Sequence, residues 1–162
     1  MYTFAPVNTA AAKAAVLAIY KQNRDYYRVI GAPMPSADTV EEDINALPNG
    51  IDIHAKHFWL IQQDGTNIGV IDLVESYPEK ATIYVGLLEI AEHGKGHGRA
   101  VMEQLGAAFK QHGYKHLELG VVSDNKDGLA FWTALGLTPV RTVMGEIGPR
   151  NEREITVMTI DL

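Results

Sequence analysis

The sequence predicts a single α/β domain in which one mixed sheet carries helices on both faces, and three observations predict it. Two runs rich in aromatic and β-branched residues, 57–62 and 68–74, flank Asp64-Gly65-Thr66-Asn67, a hairpin signal that makes the early strands antiparallel. An apolar run at 81–90 passes through a glycine-rich loop into a helical pattern and then a second apolar run at 117–122. That strand, helix, strand order implies parallel pairing across the loop. Finally, 162 residues at 46% hydrophobic and 21% charged are enough to bury one real core, so residues 1–162 read as one domain.

Taken in order, Thr9 is placed to cap a helix whose Ala12, Ala15, Val16, Ile19 and Tyr20 recur at helical spacing. The pattern breaks at Asp25-Tyr26-Tyr27, and Gly31-Ala32-Pro33-Met34-Pro35 excludes regular helix. Asp38 and Glu41 open a second helix carried by Val40, Ile44 and Leu47, which Pro48-Asn49-Gly50 ends. The hairpin follows, then the strand at 81–90. A helix over 99–112 puts Val101, Met102, Leu105, Ala108, Phe109 and His112 on one face and is closed by Gly113. After the strand at 117–122, a helix over 125–135 turns Leu129, Trp132 and Leu135 inward and ends at Gly136. Runs 140–146 and 155–162 form a last hairpin through Gly148-Pro149-Arg150-Asn151. If the final strand lies at a sheet edge, it is the candidate for pairing two copies into a homodimer.

Composition narrows the function. A net charge of −6, with no run of five or six like charges, argues against nucleic-acid partners and mildly favours a cationic or neutral substrate. With no cysteine, disulfides, thiolate metal sites and a cysteine nucleophile are excluded. Met1-Tyr2-Thr3-Phe4-Ala5-Pro6 lacks a basic-then-apolar leader and no apolar run reaches membrane-spanning length, so a cytoplasmic protein without a membrane partner is expected. His112 with His116, and His54 with His57, have spacings that can bind metal. Gly113 breaks the helix inside the first pair and neither pair has an obvious third ligand, so these read as helix-end and surface histidines and no metal is expected.

The loop His93-Gly94-Lys95-Gly96-His97-Gly98-Arg99 is the strongest local signal. Three glycines let a backbone approach a ligand closely, and free amides at a helix start attract anions. Lys95, His97 and Arg99 add positive charge at one place on an acidic chain, which suggests one anionic ligand. A nucleotide-triphosphate loop would need Gly-x-x-x-x-Gly-Lys followed by Ser or Thr, and no such string is present. A dinucleotide fingerprint is closer, with Asp124 ending the second strand, but Val101 stands where the third glycine belongs.

These residues carry a resemblance. His93-Gly94-Lys95-Gly96-His97-Gly98 resembles the Gln/Arg-x-x-Gly-x-Gly/Ala signature of the GNAT N-acyltransferase superfamily. Downstream, Leu119-Gly120-Val121-Val122-Ser123-Asp124-Asn125 and Phe131-Trp132-Thr133-Ala134-Leu135-Gly136-Leu137 resemble its second signature at a fitting distance. Asp25-Tyr26-Tyr27 and Ile68-Gly69-Val70-Ile71-Asp72-Leu73-Val74 look like a bacterial branch, so the likeness spans nearly the whole chain. His93 stands where the family has Gln or Arg, and Trp132 where many members have Tyr. The resemblance implies a splayed parallel strand pair, 81–90 and 117–122, that holds the pantetheine arm of acetyl-coenzyme A. Leu88, Glu89 and Ile90 would face the arm and thioester. The loop from His93 through Gly94, Lys95, Gly96, His97 and Gly98 to Arg99 would take the pyrophosphate, and Asn125, Phe131 and Trp132 would line the other side.

The implied reaction is direct transfer of acetyl to a primary amine of a small-molecule or peptide acceptor. An alkylammonium of pKa about 10 is neutral only about one part in a thousand at pH 7, so a base is expected. Glu89 interrupts an apolar strand beside the expected thioester; equally, strand alternation points it to solvent. Asp72 is the second candidate, against the reading of an edge-strand residue facing water. Trp132 cannot give up a proton to the leaving thiolate as a Tyr can, or it is simply core. Asp25, Tyr26 and Tyr27 are candidates to receive a cationic amine, or form a helix end with packed tyrosines. Two rivals remain: an acyl-coenzyme A binding protein without turnover, and a dinucleotide-binding module.

Overall fold

The computed structural model describes residues 1–148 and 150–162; Pro149 of the expected last turn lies outside the described residues. The chain begins with β1 (Thr3–Pro6), α1 (Ala10–Gln22), α2 (Arg24–Ile30), α3 (Ala37–Asn45), a 3-10 turn (Ile53–Ala55), β2 (Lys56–Gln63) and β3 (Thr66–Glu75). It continues with β4 (Thr82–Ile90), α4 (His97–Gln111), β5 (His116–Val122), α5 (Lys126–Ala134), β6 (Thr138–Glu146) and β7 (Glu152–Asp161). The seven strands form one sheet in the order β1-β2-β3-β4-β5-β7-β6, in which β4 and β5 pair in parallel and the other neighbours antiparallel. The mixed α/β sheet expected from the sequence is the one observed.

Local chemistry explains most boundaries. Thr9 Oγ1 accepts from Ala12 N at 3.1 Å and starts α1, a cap worth about 1 kcal/mol. Ser36 and Thr39 form a reciprocal capping box on α3. Gly31, at φ +72°, ends α2 in the left-handed conformation that glycine adopts freely. Helices cover both faces: Val101, Met102, Leu105 and Trp132 pack on Ile71, Ile83, Leu117 and Leu119 on one side. On the other, Val16, Ile19, Tyr20, Tyr27, Ile30 and Val40 pack on Leu60 and Val70.

Three expectations are corrected. β7 is not an edge strand: it lies between β5 and β6, so its edges are taken and the free edges belong to β1 and β6. Asp25-Tyr26-Tyr27 sits inside a helix, α2, that the break in periodicity concealed. This seven-residue helix is held by burial of Tyr27 and Ile30 rather than by propensity. Leu47 lies beyond α3, which ends at Asn45. The N-terminal strand β1, which pairs with β2 from Thr3↔Gln62 to Pro6↔Trp59, had no sequence signal strong enough to mark it.

Two irregularities shape the middle of the sheet. β4 and β5 pair only from Thr82↔His116 to Val85↔Leu119, so residues 86–90 and 120–122 part company. Their outer edges stay occupied by β3 and β7, which leaves the two inner edges facing each other across a gap. In the β3–β4 ladder, Asp72 pairs with Leu87 and Leu73 with Val85, so Gly86 is the extra residue of a β-bulge. Past the bulge the side chains exchange faces: Leu88 and Ile90 join the core under α4, while Leu87 joins the core under α1 and α2.

Candidate active site

The gap between β4 and β5 opens into a cleft of about 1100 Å³ lined by the split strands, the glycine loop and the start of α5. Gly94 and Gly96 adopt φ of +77° and +79°, a conformation that side-chain-bearing residues rarely adopt, and Gly96 is the cap from which α4 springs. Ala100 N, bonded to Gly96 O, is the first amide of α4 to find a helical carbonyl. Those of His97, Gly98 and Arg99 are therefore left at the positive end of a 15-residue helix. Gly98 is needed for a second reason: a Cβ there would sit 3.1 Å from the Phe131 ring.

The loop side chains are held. His93 Nε2 meets Asn23 Oδ1 at 2.6 Å, His97 Nδ1 meets the Tyr2 hydroxyl at 3.0 Å, and Arg99 donates to Ala134 O at 2.8 Å. Lys95 is exposed and paired with Glu92. Asn23 ties the loop to the rest of the site, because its amide also donates to Ile19 O and Ile90 O. Nothing in the sequence singled out Asn23. A buried amide between two helices becomes recognisable only when its partners, 67 and 70 residues away, are in place.

Glu89 points away from solvent. It is 5% exposed, Oε1 accepts from the Tyr27 hydroxyl at 2.8 Å, and among the described residues Oε2 is buried without a hydrogen-bond partner. Burial pushes its carboxyl up to about 8; the charge of Asp43 adds to this, and the Tyr27 hydroxyl and nearby Asn23 amide oppose it. Of the two sequence readings, burial beside the split strand is the one observed. Tyr27 is raised from the ordinary phenol value, chiefly by burial and then by Glu89, so it stays a hydrogen-bond donor at neutral pH.

Asp72 is neither on an edge nor facing water. β3 is the third of seven strands, and Asp72 is 8% exposed with both carboxylate oxygens 2.9 Å from Lys56 Nζ. Burial raises its pKa, against the opposing pull of Lys56. It lines a neighbouring hollow rather than the cleft. The α2 residues divide: Tyr27 is buried on Glu89, Tyr26 lines both cavities, and Asp25 is exposed at the cleft rim beside Arg28 at 3.3 Å. Three of the four histidines of the two metal-like spacings have other partners, His57 with Glu75, His112 with Ala108 O and His116 with Asp161. Among the described residues no group of three His, Asp or Glu is placed to hold a metal ion, and no helix is long and apolar enough to cross a membrane.

Known proteins share the sequence pattern and the fold of this chain. Residues 17–137 match the Acetyltransferase (GNAT) family. The chain belongs to the GNAT acetyltransferase family. Among solved structures, an acetyltransferase from Thermus thermophilus superposes with a TM-score of 0.77 at 24% identity, over 100% of this chain and 97% of that one. The ribosomal-protein-S18-alanine N-acetyltransferase of Escherichia coli gives 0.69 at 15% identity, covering 99% and 94%. A Bacillus subtilis acetyltransferase in complex with CoA gives 0.62 at 13% identity, covering 99% and 97%. At these identities the likeness is one of fold. No curated protein sequence matches the chain at a significant level.

Within the GNAT match, Phe131 and Trp132 stack edge-on at 4.8 Å, and both line the cleft while Trp132 belongs to the core under α4. Asn125 lines the cleft and spends its side chain on capping α5, Oδ1 accepting from Gly128 N at 3.0 Å. Tyr84, which sequence reasoning passed over, stands where the strands separate and lines both cavities. Its position on an ordinary β-branched and aromatic strand gave no sign of this.

Proposed function

We propose that the protein is an acetyl-coenzyme A dependent N-acetyltransferase that moves acetyl to a primary amine by direct attack, with Glu89 as the general base. The observation that carries this reading is a buried carboxyl, with a pKa near 8, placed on the free inner edge of a split strand. In it, the loop amides of Lys95 to Arg99 receive the pyrophosphate. Leu88, Glu89 and Ile90 on one side, and Asn125, Phe131 and Trp132 on the other, bound the pantetheine and thioester.

The chemistry balances as follows. The acceptor arrives as an ammonium and passes one proton to the Glu89 carboxylate. The freed nitrogen lone pair forms a bond to the acetyl carbon, and negative charge moves onto the carbonyl oxygen. A backbone amide near Leu88 or Glu89, unpaired because the strands part, donates to that oxyanion. Collapse breaks the C–S bond, and the second nitrogen proton goes to the thiolate. That thiolate is only mildly basic, since a free thiol has pKa about 8.5, so solvent at the cleft mouth suffices where Trp132 cannot donate a proton. Glu89 then releases its proton to water. An acyl-coenzyme A binder without turnover is the second reading, favoured by that same Trp132.

Two measurements test the proposal. Desulfo-coenzyme A at about a hundred times its dissociation constant should add roughly 2.7 kcal/mol of stability in a melting scan, and NAD should add none. Amine-dependent release of free thiol from acetyl-coenzyme A separates enzyme from binder.

A further inference from the structure

Beside the cleft lies the second hollow, about 680 Å³, joined to it across Tyr26, Tyr84, Gly86 and Leu87, which line both. Its charge is one-sided. Asp38, Glu42, Asp43 and Asp72 line it, and among the described residues no lysine or arginine does. Lys56 lies behind Asp72 with its side chain almost wholly buried, and offsets one of the four charges. Asp43 accepts from the Tyr20 hydroxyl at 2.6 Å and, among the described residues, forms no ion pair of its own; burial raises its pKa, against the Tyr20 hydrogen bond and the charge of Lys56. Asp72 stands at the junction of the two cavities, since a Cβ on Gly86 would fall 2.6 Å from its Oδ2.

An acidic cluster alone says little about ligands. Here a second feature coincides with it: the unpartnered Oε2 of Glu89, an almost wholly buried residue on the cleft side of the junction. Tyr27, which lines the hollow, holds the other oxygen of the same carboxyl. Buried polar atoms in folded proteins are nearly always paired, and an N–H donor of an incoming ammonium would pair this one. The path from Glu89 past Asp72 to Asp43 and Glu42 is thus acidic at both ends, with Tyr26 and Tyr84 rings at its waist. Ring faces favour ammonium groups, and Leu47, Val74 and Leu87 give methylenes an apolar wall. An α-amino acid or an acidic peptide would bring a carboxylate into a hollow with no lining cation to meet it.

Resting on the acetyltransfer reading above, we infer that the acceptor is an aliphatic diamine or polyamine. Its reacting nitrogen sits at Glu89 and a second ammonium is held in the hollow by Asp43 and Glu42.

The test compares n-butylamine, 1,4-diaminobutane, spermidine and glycine by kcat/KM for thiol release at saturating acetyl-coenzyme A. The diamine should exceed the monoamine of equal chain length at least tenfold, mainly through KM, and glycine should be the poorest. The ratio between diamine and monoamine should collapse toward one in the Glu42→Gln, Asp43→Asn double variant, and should shrink with added salt. A ratio near one in the unaltered protein, an undiminished ratio in the variant, or no release with any of the four amines overturns the inference. A melting scan with desulfo-coenzyme A on the same samples separates the failures. No stabilisation sinks the acetyltransfer reading itself, whereas stabilisation with a flat amine ratio sinks only the diamine.

Discussion

Replacing Glu89 by Gln should make the protein more stable and less active at once, by amounts that depend on pH in a defined way. Glu89 has a folded pKa near 8 against an ordinary value of 4.5, so the fold binds this proton more tightly than the unfolded chain does. The side chain's full stability is present below pH 4.5 and is lost as pH rises toward 8. Each pH unit between those limits costs about 1.4 kcal/mol, so the loss at pH 7 is about 3 kcal/mol. Gln is neutral at every pH and keeps a carbonyl oxygen for the Tyr27 hydroxyl. The variant should match the parent near pH 4.5 and exceed it by about 3 kcal/mol at pH 7, about 6–12 °C in Tm for a chain of this size. Melting scans at half-unit pH steps measure this directly. Parallel Tm curves for the two proteins across that range would refute the reasoning, because they would mean the carboxyl ionises in the fold as it does in water.

Activity supplies the complementary readout. If Glu89 takes the proton from a bound ammonium, kcat/KM rises with unit slope below pH 8 and flattens between 8 and the amine pKa of about 10; Glu89→Gln lowers the rate and rises without a bend at 8. Tyr27→Phe removes the Tyr27 hydrogen bond to Glu89, which should move that bend upward and weaken the fold by about 1–3 kcal/mol at pH 9, read from denaturant titration. Lys56→Met leaves Asp72 buried and unpaired, costing about 3–5 kcal/mol at pH 7, a loss that should shrink in acid as Asp72 takes up a proton. Gly96→Ala forces a side chain into φ +79°, costing about 1–2 kcal/mol, and calorimetry should show weaker coenzyme A binding.

What the sequence made legible was what neighbouring residues decide. Asp64-Gly65 at a hairpin tip, Gly113 and Gly136 behind helix ends, and the alternating glycines ahead of α4 all act within a few positions of themselves, and each appears where its chemistry places it. Long-range features stayed hidden. Counted straight along β4, Ile83, Val85, Leu87 and Glu89 would share a face. The bulge at Gly86, set by pairing with β3, hands that face to Leu88 and Ile90 and turns Glu89 toward Tyr27. Asp72 reads as an oddity among apolar neighbours until β2 brings Lys56 against it from 16 residues away. The last strand of the chain is not the last of the sheet, because β7 inserts between β5 and β6 and chain order does not dictate sheet order.

A crystal structure of the complex with desulfo-coenzyme A tests the central claim most directly. The account predicts the diphosphate on the amides between Lys95 and Arg99, and the pantetheine amides hydrogen-bonded to the inner edge of residues 86–90, with its tip beside Glu89. A coenzyme bound elsewhere, or one whose tip lies away from the gap between β4 and β5, would contradict it.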